Sequence, residues 1–148
     1  MGRWLYCSSL CTGGSFGVLG LRVVMGLAFI LHGWGKVQNP TGWMPNSPIP
    51  GVLQAAAAFS EFGGGIALIA GLLTPVAATL LAVTMAVAVK FHFGQGHPFV
   101  GAGGPSYELA AVYLAAAIMF VFVGPGRFSL DAVLFGKQRA VTAHTEHA

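Results

Sequence analysis

The hydrophobic positions of this chain fall into four long apolar runs, separated by short stretches rich in glycine, proline or polar residues. Each run is about 17 to 22 residues long, which is enough to cross a hydrocarbon core of about 30 Å. We therefore predict an all-α fold, a four-helix transmembrane bundle within residues 16–124. The four predicted spans are 16–37, 52–73, 75–92 and 107–123.

The segments that flank the bundle are more polar. Residues 1–15 precede the first span as an N-terminal segment. After the fourth span, apolar side chains recur on one side of a short stretch that Ser129 would cap, with Asp131 near its positive end. We predict that this stretch, residues 125–136, is an interfacial helix lying on the membrane. Residues 137–148 are predicted to be a mobile polar tail.

Composition agrees with a lipid environment and excludes several classes of function. Of the 148 residues, 55% are hydrophobic and 7% are charged, whereas soluble domains carry about 25% charged residues. The net charge is +3 without any run of Lys or Arg, so nucleic acid is not expected as a partner. Cys7 and Cys11 lack a second cysteine pair or a nearby histidine, and no metal site is predicted.

The distribution of positive charge predicts an orientation. Four spans place both termini on one side of the membrane, and most of the basic residues lie at that side, whereas the other side has Lys36 and Lys90. The positive-inside rule then places both termini in the cytoplasm. We expect Arg22, Arg127 and Asp131 to act as interfacial anchors on the cytoplasmic side.

Ionisable residues gather in the opposite, outer half of the predicted bundle. Glu61 is the deepest of them, roughly 13 Å from the helix start at 1.5 Å per residue. A lone charge at such a depth costs about 2.5 to 3.5 kcal/mol, so this carboxylate should be protonated, paired or beside water. Lys36 and His32 are its nearest candidate partners, with Lys90 and His92 as alternatives. The full cluster comprises His32, Lys36, Glu61, Lys90, His92 and Glu108.

This cluster has two interpretations. One is a polar pocket for a small polar or redox-active head group, or a proton relay, in which Glu61 is the catalytic proton acceptor and the other members bind ligand or balance charge. The other is a buried ion pair that fixes helix register, or a contact with a partner subunit. Aromatic residues of the outer half would form an interfacial belt or wall a flat quinone-like ring: they are Trp34, Trp43, Phe59, Phe91, Phe93 and Phe99.

Glycines of the second run predict close helix packing. Gly63, Ala67 and Gly71 recur every four residues and would form a ridge of small residues against a neighbouring helix.

Three sequence segments resemble the DoxX-like family of small bacterial integral membrane proteins. They are Leu21-Arg22-Val23-Val24 leading to Leu31-His32-Gly33-Trp34-Gly35-Lys36, then Glu61-Phe62-Gly63-Gly64 with Gly71-Leu72-Leu73-Thr74, and Gly124-Pro125-Gly126-Arg127-Phe128-Ser129-Leu130-Asp131. The resemblance covers residues 17–134 and implies a four-helix protein of the bacterial inner membrane. The family is named from a subunit associated with a terminal oxidase. A related subunit belongs to a thiosulfate:quinone oxidoreductase, and other members accompany redox-stress enzymes. His32, Lys36, Glu61 and Arg127 match motif positions.

Taken together, these features predict a membrane subunit of a respiratory or redox-linked system. Its outer-half pocket would hold a quinone or a small anion, as part of a quinone-linked oxidoreductase. The alternative is a non-catalytic accessory or assembly subunit packed against a larger membrane complex. Expected partners are the lipid bilayer and other membrane subunits or further copies of the chain. A transporter is less favoured because no inverted repeat is evident.

Overall fold

Four helices follow one another in the computed structural model, which describes residues 10–134. They are α1 (Thr12–Val37), α2 (Gly51–Ala70), α3 (Thr74–Gly94) and α4 (Glu108–Val123). The first three are long and apolar enough to cross a membrane, and α4 is a shorter apolar helix of 16 residues. The predicted all-α membrane bundle is confirmed, and the described residues contain no strand.

The helix boundaries differ from the predicted spans by a few residues, for local reasons. α1 begins at Thr12 rather than residue 16 because Cys11 caps it, its Sγ accepting a hydrogen bond from the Gly14 amide at 3.4 Å. α2 ends at Ala70 rather than residue 73 because Gly71 adopts a left-handed conformation, with φ of +65°. The predicted mobile tail, 137–148, lies outside the described residues, as does Cys7.

The helices alternate in direction and pack in sequence order, α1 on α2, α2 on α3, and α3 on α4. At one end, here called the turn end, the start of α1 meets the tight turn at 71–73 and the segment 124–134 that follows α4. The opposite end, here called the loop end, carries the two longer connections, 38–50 and 95–107. Leu68, Leu81 and Phe120 belong to the core between the helices, all fully buried.

The closest helix contact is made by glycines of α1 and α2. A Cβ added to Gly65 would lie 2.6 Å from the carbonyl oxygen of Gly26, and one on Gly33 would lie 2.6 Å from the amide nitrogen of Phe62. Such approach is possible only without side chains. The predicted ridge is therefore misplaced at Gly63, where an added Cβ would meet nothing within 4 Å; Gly65 makes the close contact.

Candidate functional site

The centre of the candidate site is an ion pair between α1 and α2. The Lys36 ammonium donates to both carboxylate oxygens of Glu61, each at 2.6 Å. Glu61 is 3% exposed, whereas the Lys36 side chain is 24% exposed. The ion pair therefore joins a buried carboxylate to an ammonium group that reaches toward the surface at the loop end.

The first loop-end connection completes the surroundings of Lys36. The Trp43 ring lies beneath the Lys36 ammonium, with 4.6 Å between nitrogen and ring centroid, a cation–π contact. Trp43 is held by its indole N–H, which donates to the Gln54 carbonyl at 3.0 Å. The buried Gln54 side chain in turn bonds the backbone of Met44 and Ile49. Residues 38–50 are thus fastened onto α2, and Lys36 has an aromatic face on one side and a carboxylate on the other.

A cavity of about 200 Å³ adjoins Glu61 and is lined by all four helices. Its polar lining groups are His32, Glu61, His92, Ser106 and Tyr113. The apolar walls are Phe29, Met85, Ala88, Leu109 and Ala110. Apolar walls with a few placed polar groups are typical of small-molecule sites. The cavity therefore combines a buried carboxylate, two imidazoles and a phenol around one space.

An aromatic contact joins α1 to α4 along this cavity. Tyr113 packs against Phe29 with ring centroids 5.0 Å apart, and it meets the edge of His32 at 6.3 Å. Tyr113 was not among the predicted site residues, although it is the one polar side chain between Leu109 and Val123. A hydroxyl within an otherwise apolar span was the available signal, since buried tyrosines usually hydrogen-bond.

The second loop-end connection, residues 95–107, contributes Ser106 to the cavity lining and is fixed by several contacts. Nδ1 of His92 lies 2.9 Å from Nδ1 of His97, a hydrogen bond that requires one nitrogen to donate and the other to accept. Tyr107 packs edge-on against Phe99, with 5.3 Å between ring centroids. The Glu108 amide donates to the Phe99 carbonyl at 3.0 Å. These contacts hold residues 95–107 against the ends of α3 and α4.

Two members of the predicted cluster lie away from the cavity. Lys90 and Glu108 are exposed, and neither lines it. The six aromatic residues predicted to surround a flat ring are also not part of the lining. Phe29, on the same face of α1 as His32 and Lys36, contributes the aromatic wall together with Tyr113. Within residues 10–134 no group of three or more metal-ligating side chains is found.

At the turn end, Arg22 differs from its predicted role as an interfacial anchor. It is 1% exposed, and its guanidinium donates to four backbone carbonyls at 2.8 to 2.9 Å. Those carbonyls belong to Leu68, Ile69, Pro125 and Phe128. The last carbonyls of a helix lack partners within the helix. The guanidinium donates to two of them in α2, of which that of Leu68 also accepts from the Gly71 amide at 3.1 Å, and it ties in the segment after α4. The anchor prediction is corrected accordingly.

Asp131 also lies inside the protein, at 1% exposure, and not at the interface as predicted. Its two carboxylate oxygens accept hydrogen bonds from the amides of Leu73 and Thr74, at 2.8 and 3.0 Å. It therefore caps the start of α3 from a distant part of the chain. Arg127 is exposed and contacts Thr12 at 3.3 Å. Helical residues begin at Leu130 and continue to residue 134, where the described range ends.

Sequence comparisons agree with this architecture. Residues 17–94, which include Arg22, His32, Lys36 and Glu61, match the sequence model of the DoxX family. The chain is 30% identical over 122 residues to the inner membrane protein YqjF of Escherichia coli (strain K12), covering 80% of this chain and 92% of that protein. It is 38% identical over 123 residues to an uncharacterized protein of Haemophilus influenzae, covering 79% of this chain and 90% of that protein. No solved structure matches the chain. This protein is a multi-pass membrane protein and belongs to the DoxX family.

Proposed function

We propose that the loop-end cavity binds the head group of a quinone and that this protein is a membrane subunit of a redox-linked system. The observation that carries the proposal is the grouping of Glu61, His32, His92 and Tyr113 around one small apolar cavity in a bundle otherwise poor in polar groups. Intramembrane ionisable residues are functional candidates by default because their burial is costly.

The charges around the cavity favour a neutral ligand over a small anion. The carboxylate that lines the cavity is Glu61, whereas Lys36 approaches it from outside the lining. An anion would be repelled by this carboxylate and would have to compete with it for the lysine. A quinone carries no charge, and its two carbonyl oxygens suit hydrogen bonds from an imidazole N–H or the Tyr113 hydroxyl.

The chemistry that this arrangement supports is proton supply. Reduction of a quinone to its quinol consumes two electrons and two protons. We assign proton transfer to Glu61 and His32 at the cavity wall: the Glu61 carboxylate, whose charge Lys36 balances, first accepts a proton and then passes it to the quinone as the quinone is reduced. The electrons would come from a redox centre of a partner subunit, which makes the protein one component of a quinone-linked oxidoreductase.

Binding is tested by filling the cavity without touching its ion pair. Ala110 lines the cavity, and Ala115 lies on the same helix but is exposed on the outside. In nanodiscs, titration with decylubiquinone should quench tryptophan fluorescence saturably in the wild type. We expect Ala110→Phe to weaken binding at least about tenfold, or 1.4 kcal/mol, and Ala115→Phe to bind as wild type. Equal binding by both variants would contradict the proposal.

The proton role is tested separately, in native membranes. Glu61→Gln should lower quinone reduction while leaving assembly normal, because the amide can neither accept a proton nor pass it to the quinone as the quinone is reduced. Glu108→Gln removes a carboxylate of the same type at an exposed position outside the cavity and should leave the rate unchanged. Unchanged reduction in Glu61→Gln, with normal assembly, would exclude the proton role.

A second candidate function is that of a non-catalytic accessory subunit of a larger membrane complex. The specific observation in its favour is that both oxygens of Glu61 are already bound by Lys36, as in an ion pair that only fixes the register of α1 and α2. Native purification separates the two candidates. A stable complex in which Ala110→Phe changes neither composition nor quinone turnover would favour the accessory role.

We also propose that the turn end faces the cytoplasm, with both termini on that side. Arg127 is exposed at the turn end, and the chain before α1 and after residue 134 contributes Arg3, Lys137 and Arg139. At the loop end Lys36 is engaged by Glu61, which leaves Lys90 as the exposed cation near that boundary. A C-terminal green fluorescent protein should fluoresce, whereas alkaline phosphatase should be active only when inserted at Gly103. The opposite pattern would overturn this orientation.

A further inference from the structure

The mouth of the cavity lies between α1 and α4. The residues that form its floor are buried: Phe29 at 1% exposure, Glu61 at 3% and Met85 at 7%. By contrast, His32 on α1 and Leu109 on α4 are exposed, with 52% of Leu109 accessible. The rings of Phe29 and His32 on α1 contact Tyr113 on α4, whereas the backbones of α1 and α4 are not closely packed. The cavity thus opens sideways, through the seam between these two helices.

The connection at the loop side of the cavity is fixed in place. The ring contacts of Tyr107, the hydrogen bond between His92 and His97, and the backbone bond from Glu108 to Phe99 hold residues 95–107 over the helix ends. Ser106, at the end of this connection, is itself part of the lining. A ligand coming directly from water would have to pass this fixed connection, whereas the exposed side chains of His32 and Leu109 flank the seam between α1 and α4.

The surface beside the mouth changes from charged to apolar at the start of α4. α4 has 16 residues and is about 24 Å long at 1.5 Å per residue, which is shorter than a hydrocarbon core of about 30 Å. Its first residue, Glu108, is an exposed carboxylate, and its second, Leu109, is an exposed apolar side chain. This change from charged to apolar within one residue is expected at a membrane boundary.

We infer that the cavity admits its ligand sideways from the loop-end leaflet, between His32 and Leu109, and that the ligand is a membrane-dissolved amphiphile. Its polar ring or head enters the cavity, and its alkyl chain stays in the lipid outside the seam. The identity of the head group as a quinone rests on the proposed function. The route of access rests on the position of the mouth alone.

Site-directed spin labelling tests the route without assuming the head group. In a Cys7→Ser, Cys11→Ser background, single cysteines replace Leu109 at the mouth, Ile118 on the outer face of α4, and Ala102 in the exposed loop. A high collision rate of the spin label with oxygen shows that the label lies in lipid. A high collision rate with a water-soluble nickel chelate shows that it lies in water. We expect oxygen to dominate at 109 and 118, and the nickel chelate to dominate at 102.

Addition of decylubiquinone to the same samples separates this inference from the proposed function. We expect the label at 109 to become less mobile and the label at 118 to stay unchanged. A label at 109 that collides with the nickel chelate as strongly as the label at 102 would overturn sideways access. A lipid-exposed label at 109 that does not respond to decylubiquinone would support the access route and contradict the quinone assignment.

Discussion

The two ends of the bundle both bury charged side chains, but the partners of those side chains differ. At the turn end, every partner in the described hydrogen bonds of Arg22 and Asp131 is a backbone amide or carbonyl. At the loop end, Lys36 and Glu61 bind each other through their side chains, and Glu61 lines a cavity. The turn-end charges therefore complete the fold, whereas the loop-end charges form the candidate site.

The number of free donors and acceptors distinguishes structural from functional burial of charge in a membrane protein. A guanidinium that satisfies four carbonyls has little capacity left for a ligand. A carboxylate oxygen has further lone pairs after accepting one hydrogen bond, and imidazole and phenol groups at a cavity wall retain donors and acceptors. The comparison predicts large effects on stability at the turn end and effects on ligand binding at the loop end.

The largest expected effect is at Arg22. In Arg22→Met four carbonyls lose a side-chain donor, two of them in buried and two in part-buried hydrogen bonds, and each unsatisfied buried group costs about 1 to 3 kcal/mol. We expect the free energy of unfolding to fall by at least about 3 kcal/mol, seen as a lower thermal midpoint in detergent. Arg127→Met is the matched control, because Arg127 is exposed and makes one 3.3 Å hydrogen bond. Equal midpoints for the two variants would remove the distinction between the two ends.

The next effect is an asymmetry within the loop-end ion pair. Lys36→Met leaves Glu61 buried without a partner, which typically costs about 3 to 5 kcal/mol. Glu61→Gln leaves an ammonium that already reaches the surface, so its cost should be about 1 kcal/mol or less. The double variant should recover most of the stability that Lys36→Met loses. Chemical unfolding of the wild type, the two single variants and the double variant measures these free energies. Equal losses of stability in the two single variants would contradict the predicted asymmetry.

The sequence predicts much of this molecule because its signals are local. Long apolar runs specify the four helices, and the depth of Glu61 requires a partner, for which Lys36 was one of two candidates on the first helix. The roles of Arg22 and Asp131 were not predictable in the same way. Their partners are backbone groups 46 to 106 residues away for Arg22 and 57 to 58 residues away for Asp131. Backbone carbonyls and amides occur at every position and leave no mark in the sequence.

The choice among three consecutive glycines illustrates the same limit, and it gives the third prediction. Gly65→Ala would press a Cβ against the Gly26 backbone, and such overpacking typically costs about 1 to 3 kcal/mol. Gly63→Ala places its methyl group in open space and should stabilise α2 by up to about 1 kcal/mol. Because the α1–α2 contact joins both ends, Gly65→Ala should also weaken ligand binding. Thermal midpoints that move in the same direction for both variants would refute the assigned contact.

The smallest expected effect belongs to Asp131, whose carboxylate caps α3 across the turn end. Asp131→Asn keeps one acceptor oxygen but presents an amide N–H₂ to one of the two backbone amides, and loss of a cap costs about 0.5 to 2 kcal/mol. We expect faster hydrogen exchange at the Leu73 and Thr74 amides, with little change at the loop end. Glu108→Gln removes one carboxylate charge at an exposed position of the loop end and serves as control. Asp131→Asn could instead alter quinone binding while hydrogen exchange at the Leu73 and Thr74 amides stays slow. In that case the Asp131 carboxylate would act on the candidate site and not on the fold, and the contrast between the two ends would be wrong.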